Sequence, residues 1–338
     1  REGRILFLTR HVLMTEISSL STPMANASMI NDSQVQNRTD RPDEVFRILS
    51  YVILPVIILG LVGNGAIFWF LCCRIKRTKY TVYVLNLAIA DFIVLFCYIL
   101  SFVFSLIIWG RLAFEPYLYE AMDILTLFGY TTSFFLLTTI SIERCLGAFF
   151  PLWYNFNRPK HLSAVLCALQ WVLSCVVTAV EFFTCWSIIF SSEEESDRMW
   201  SAAKIFLTII FVIFIPIMVL CSLSLFVKIQ RHSQPTSPAR LYLTIVITVV
   251  LFVILALPFR LVCLISYWDP STEFNGTLLR CVTLLNFINS SVNPFVYFLV
   301  GRKKWRASRE TLSMVLYRSC KDEVDVVAQE HMSKEQEA

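Results

Sequence analysis

The chain has 338 residues, 57% hydrophobic and only 16% charged, against roughly 25% charged residues in a soluble domain. A mean hydropathy of +0.65 and 28 Phe point the same way, so a soluble globular chain and a largely disordered one are both excluded. Nine Gly and 12 Pro exclude collagen-like and linker-like chains, and a net charge of +4 gives no ground for a nucleic-acid partner.

Residues 1–45 read as a polar tail before the first apolar run. Three glycosylation triplets cluster there, at Asn26, Asn31 and Asn37, with a fourth at Asn275 in a late loop. Asn289-Ser290-Ser291 also matches, but it lies mid-helix, out of reach of the glycosylation machinery. The first residue is Arg1, and Met24 reads as the natural start, making residues 1–23 an upstream extension; a genuinely longer tail is the alternative. Residues 5–8 are too short for a signal-peptide core.

Apolar runs follow at about 48–72, 80–108, 118–149, 162–190, 203–229, 240–267 and 279–300, the third the most polar. Each is near or above the ~20 residues that cross a bilayer. Only helices or closed barrels satisfy their backbone in lipid, and the period-2 alternation of a barrel is missing. The expected fold is all-α, a bundle of seven transmembrane helices over residues 46–300. Residues 301–320 set Trp305, Leu312, Val315 and Leu316 against Lys and Arg, the pattern of a short amphipathic helix on membrane lipid. Cys320 at its end reads either as a palmitoylation site or as an unmodified thiol. Residues 321–338 are polar and acidic, a disordered cytoplasmic tail.

Orientation follows from Lys and Arg in short loops. Arg74, Lys76, Arg77, Lys79, Arg158, Lys160, Lys228, Arg231, Arg240 and the Arg302–Arg309 cluster fall on one side; Arg111 and Arg198 fall on the other. The N-terminus is therefore outside, the C-terminus inside, and the expected location is the plasma membrane. Most of the 11 Cys lie inside apolar runs as small hydrophobes, and all four His lie outside them. This argues against a disulfide framework and against an intramembrane haem, zinc or histidine relay.

Several polar residues are costly in lipid and point to function. Asp91 stands midway along the second span, within range of Ser133, Asn289 and Asn293. One carboxylate with several neutral oxygens suits a small cation such as Na⁺; a hydrogen-bonded knot that fixes packing is the alternative. Glu143-Arg144-Cys145 closes the third span, either as a functional site or as charges snorkelling to headgroups. Pro216, Pro258 and Pro294 are expected to break the last three helices.

Asn64 in Gly63-Asn64-Gly65, Asp91, Glu143-Arg144-Cys145, Trp171, Pro216, Pro258 and Asn293-Pro294-Phe295-Val296-Tyr297 fall one set per helix, in order. This series resembles the signature of class A (rhodopsin-like) G-protein-coupled receptors. Ile140 to Leu146, Pro151-Leu152-Trp153-Tyr154, Arg158-Pro159-Lys160-His161 and Asn289 to Pro294 are similar, more narrowly, to the Mas-related receptors. The resemblance implies a receptor for an extracellular peptide or small charged ligand, signalling through heterotrimeric G proteins of the Gq/11 or Gi class, with arrestin as a further partner. It gives Arg144 the role of meeting the G protein, with Glu143, Cys145 and Tyr297 beside it. It also makes Asp91, Ser133, Asn289 and Asn293 a sodium pocket, the one cofactor expected.

The chain departs from the family at several places. Residues 114–123 contain no Cys, so the usual bridge from helix three to the second outer loop cannot form. Cys185 matches one partner of an alternative bridge, Trp200 stands at the other, and Cys281 is another outer thiol within reach. Ala256 replaces the helix-six Trp and Ser224 the helix-five Tyr, so activation relies less on an aromatic toggle. Thr126 stands where amine receptors carry an acid, which disfavours an amine ligand. Phe287 stands where opsins carry the Schiff-base lysine, which rules out light sensing. Glu181 matches an acid that related receptors use for basic ligands, while Lys204 aligns with a second such acid and reverses its sign. The two are expected either to pair or to bind a peptide's ammonium and carboxylate separately, with Asp123 and Arg260 facing the same half of the bundle or standing at a wet rim. Glu193-Glu194-Glu195 and Asp197 read as a solvated loop that steers basic ligands.

A transporter or channel is the competing class, disfavoured by the odd number of spans and the lack of an inverted repeat. An enzyme is third, since neither an HExxH motif nor a nucleophile–His set occurs.

Overall fold

A computed structural model describes residues 36–73, 78–108, 115–190, 193–231, 237–268 and 276–301. Among them the chain forms α1 (Gln36–Cys73), α2 (Lys79–Ile108), α3 (Glu115–Phe149), α4 (Leu162–Phe190), α5 (Glu193–Arg231), α6 (Ser237–Leu255), α7 (Leu257–Trp268) and α8 (Gly276–Gly301). A π-helical turn, Trp153–Asn157, joins α3 to α4. Helices α6 and α7 are two halves of the sixth span and α8 is the seventh, so the bundle has the seven expected spans. Helices α1 to α5 have 29–39 residues, so at 1.5 Å per residue each is longer than a ~30 Å hydrocarbon core. Two bounds differ from expectation: α1 begins twelve residues before residue 48, and α5 begins at Glu193 rather than near 203.

Among the described residues six helices, with α6 and α7 taken as one, are long and apolar enough to cross a membrane, and α3 is the least apolar of them. The reason is position. Helix α3 packs against α2, α4, α5 and α6, and 72% of its most apolar window is buried, against 28% for α1, α4 and α5. A helix enclosed by protein can carry Thr131, Thr132, Ser133, Thr138 and Ser141, all buried, because neighbours and its own carbonyls satisfy them. Helix α8 follows the same logic. It buries Thr283, Asn286, Asn289, Ser290, Ser291 and Asn293, which leaves it outside those six although its apolar run at 279–300 is legible in the sequence. The lipid-facing helices instead expose Leu, Val, Ile and Phe.

Glycines set the α1–α8 spacing. A Cβ on Gly60 would lie 2.5 Å from the Ser291 Cα, and one on Gly63 would lie 2.8 Å from the Pro294 ring. At that approach the Asn64 amide donates to the carbonyls of Gly60 and Ser290, both at 3.0 Å, fastening two spans at the site the sequence marked.

The proline expectation needs correction. Pro216 and Pro294 lie inside continuous helices; among the described residues the break falls at Ala256, two residues before Pro258. Pro258 has no N–H for the Ile254 carbonyl, and the Tyr130 hydroxyl donates to the Ala256 carbonyl at 3.3 Å. An aromatic stack surrounds this point. Phe252 lies 6.2 Å from Tyr130 and 5.5 Å from Phe134, which in turn lies 5.2 Å from Phe211. Phe252, one turn before Ala256, thus supplies the ring that the sequence lacks at Ala256 itself.

Asn26, Asn31, Asn275, Cys320, the surface helix and the tail lie outside the described residues. Asn37 falls within α1, but its side chain, like those of Cys185, the Glu193–Glu195 run, Asp197 and Trp200, lies outside the described set.

Candidate functional site

Three buried polar clusters are strung along α3. The first is at its C-terminal end, where Glu143 and Arg144 are each 3% exposed. That excludes the snorkelling alternative. Arg158 donates Nε at 3.0 Å and Nη2 at 2.5 Å to Glu143 Oε2, and Nη2 also reaches Ser163 Oγ at 2.7 Å. Arg144 turns to rings instead, with Nη2 donating to the Tyr154 hydroxyl at 3.0 Å and its guanidinium 4.8 Å from the Tyr80 centroid. Cys145 contacts the Cys221 thiol of α5, and Tyr297 is buried in α8. Lys228 of α5 donates to the Ala148 carbonyl, capping the end of α3.

The second cluster centres on Asp91, fully buried. Ser133 Oγ donates to Oδ1 at 3.0 Å and Asn293 Nδ2 to Oδ2 at 2.7 Å; Ser290 is a third neighbour. Asn289 is buried one turn before Asn293, but no described hydrogen bond joins it to Asp91. The sequence thus found the carboxylate and two of its partners, and missed Ser290. The described partners of Asp91 are all neutral.

The third cluster lies about half-way along α3, its Thr131 two residues before Ser133. Arg260 of α7 donates Nη1 to Glu181 Oε1 of α4 at 2.7 Å and Nη2 to Thr131 Oγ1 of α3 at 3.1 Å. The guanidinium lies 4.7 Å from the Phe211 centroid and 5.2 Å from that of Tyr130. Arg260 is 2% exposed, so it is no rim charge. The sequence left Glu181 and Lys204 either to pair or to bind a ligand's charges separately, and in neither case named Arg260, the cation described against Glu181. Lys204 is half-buried and sits 6.0 Å from the Trp268 centroid, while Trp268 Nε1 donates to Thr208 Oγ1 at 2.8 Å. Thr126 and Asp123 are half-buried and approach Cys97 of α2, whereas Glu181 meets Arg260 of α7. Cys281 is a free thiol.

The residues 63–297 match the 7 transmembrane receptor (rhodopsin family) pattern. The chain is 39% identical to mouse Proto-oncogene Mas over 312 residues, covering 91% of this chain and 94% of that one. Against human Proto-oncogene Mas the identity is 41%, over 82% and 84%. Against human Mas-related G-protein coupled receptor member X1 it is 35%, over 82% and 85%. The chain belongs to the Mas and Mas-related branch of the rhodopsin receptor family. It is a multi-pass membrane receptor whose family partners are an extracellular ligand and a G protein, which sets aside the transporter or channel reading; the family is one of receptors, not enzymes. Sequence reasoning in this receptor missed Tyr80, Tyr154, Ser163, Thr131, Tyr130 and Phe211. Tyr154 and Arg158 stood in motifs that were visible, but nothing one-dimensional says which ring a cation will choose.

Proposed function

We propose that this receptor binds a peptide or small charged ligand at the Glu181–Arg260 cluster and passes the change along α3 to a G protein at Arg144, coupling to Gq/11 or Gi, with arrestin as a later partner. The observation that carries this is that one helix bears all three clusters. Thr131 holds Arg260, Ser133 holds Asp91, and Arg144 lies thirteen residues beyond Thr131, about 20 Å along a helix axis. In this reading the receptor sits in the plasma membrane with the Glu181 side outside, as the loop cations and the sequons at Asn26, Asn31 and Asn275 favour.

The ligand chemistry follows from the ion pair. Arg260 already neutralises Glu181, so a simple monocation gains little net attraction. A ligand carrying both signs exchanges with both partners, and Lys204 adds a second cation on the α5 side. Asp91, surrounded by neutral donors, is a site for Na⁺ held by charge. The test is nucleotide exchange on purified Gq and Gi over a panel of synthetic peptides and small amines. Zwitterionic peptides should outperform small amines, and Arg144→Ala should abolish exchange at unchanged surface expression. Normal exchange in that variant removes Arg144 from the coupling site, and a preference for small amines removes the proposed pocket chemistry.

A further inference from the structure

Three cations converge on one ring at the Arg144 end. Lys79 Nζ lies 4.9 Å, Arg158 Cζ 5.1 Å and Arg144 Cζ 5.6 Å from the centroid of Tyr154. Tyr154 is 4% exposed and packs its ring against Gly147 of α3. Its hydroxyl accepts from Arg144 at 3.0 Å and its carbonyl accepts from Lys79 Nζ at 3.2 Å. It stands on the π-helical turn Trp153–Asn157, a rare conformation that concentrates where a chain does more than pack. The carboxylate of this group, Glu143, is engaged by two N–H groups of Arg158. The described contacts of Arg144 include the Tyr80 and Tyr154 faces and the Tyr154 hydroxyl, with Arg158 and Lys79 as like charges around the Tyr154 ring. Ring faces hold a cation weakly, and like charges at this range push it away. Such a seat orders the guanidinium and still lets it leave.

We propose that Tyr154 is the positioning residue that restrains Arg144 in the uncoupled receptor, its hydroxyl holding the guanidinium towards α2 until the turn shifts and releases it to the G protein. The role falls to Tyr154 because Glu143, the adjacent acid, is committed to Arg158. This inference rests on the reading that Arg144 couples to the G protein.

The test uses the full chain in lipid nanodiscs, with basal nucleotide exchange on Gq and Gi heterotrimers and no agonist. Tyr154→Phe keeps the ring and removes only the hydroxyl. Basal exchange should rise about three- to tenfold, the population shift that loss of one hydrogen bond produces. The double variant Tyr154→Phe/Arg144→Ala should fall to the level of Arg144→Ala, since the hydroxyl acts through that arginine. A merely structural tyrosine would lower thermal stability without raising exchange, and basal exchange at or below wild type in folded Tyr154→Phe overturns the proposal. If Tyr154→Phe does not fold, Tyr80→Leu removes the other ring face from Arg144 and leaves the turn in place; raised exchange supports the restraint and unchanged exchange overturns it. No exchange from the wild-type receptor on either heterotrimer, even with the peptide panel added, would remove the coupling reading itself, and this inference with it.

Discussion

Two levels of the bundle, the C-terminal end of α3 and the region around its middle, each bury an arginine–carboxylate pair, and the pairs are built alike but placed differently. In both, the arginine takes one carboxylate and one hydroxyl, Glu143 with Ser163 or Glu181 with Thr131. In both, a tyrosine ring lies just over 5 Å from the guanidinium, Tyr154 in one and Tyr130 in the other. The Glu143–Arg158 pair spans 15 residues, whereas Glu181–Arg260 spans 79 and, through Thr131, ties α4, α7 and α3 together. The first pair fixes a local turn beneath α3. The second clamps the half of the sixth span that follows the break at Ala256, the segment best placed to move. A buried pair is weak evidence for stability, because desolvation offsets attraction; removing one partner is what costs most. The two pairs should therefore differ less in strength than in what their loss sets free.

The largest effect should come from Arg260→Ala. It leaves the Glu181 carboxylate buried without its cation, a loss of about 3–5 kcal/mol by thermal unfolding in detergent. The double variant Glu181→Gln/Arg260→Met should recover much of that loss; if it does not, the pair is not the source. Glu143→Gln should cost less, about 1.5–3 kcal/mol, since the amide keeps an acceptor for Arg158. It should loosen the turn carrying Tyr154 and raise basal exchange, whereas Arg260→Ala should act first on ligand binding. Equal effects of both variants on both readouts would erase the distinction between the two levels.

Asp91 sharpens the contrast, because it is the buried carboxylate whose described partners are neutral. Wild-type receptor should unfold at a higher temperature in NaCl than in choline chloride of equal ionic strength, by roughly 1 kcal/mol of stability when Na⁺ is at about five times its dissociation constant. Asp91→Asn should abolish the difference, and its persistence in the variant would leave Asp91 a packing knot. The smallest effect belongs to Thr131→Val, which removes one hydroxyl from Arg260 for about 0.5–1.5 kcal/mol. A null result there would mean that α3 is not mechanically tied to the pair.

Much of this was legible along the chain. Span number and fold class need only long apolar runs, because in lipid a helix must satisfy its own backbone whatever surrounds it. Asn64, Asp91, Asn293 and Arg144 could be singled out because polar groups in apolar helices are expensive, and each proved buried and engaged. That Arg260 meets Glu181 was not legible, for a geometric reason. Each residue along a helix turns its side chain by about 100°, so small differences in rotation and tilt decide which of several cations meets a given acid. The break at Ala256, one turn before Arg260, resets that rotation for α7, and no pattern in the sequence reports its value. The same holds for Arg144, whose partners come from α2 and from a turn that hydropathy passes over. The sequence by itself thus determined which groups had to be satisfied inside the membrane, since burial of a charge is costly anywhere in lipid. Only the tertiary structure decided the described partners: Arg260 for Glu181, Arg158 for Glu143 and Tyr154 for Arg144. Hydrogen bonds close within about 3 Å, a tolerance that only the packed azimuths of the helices define.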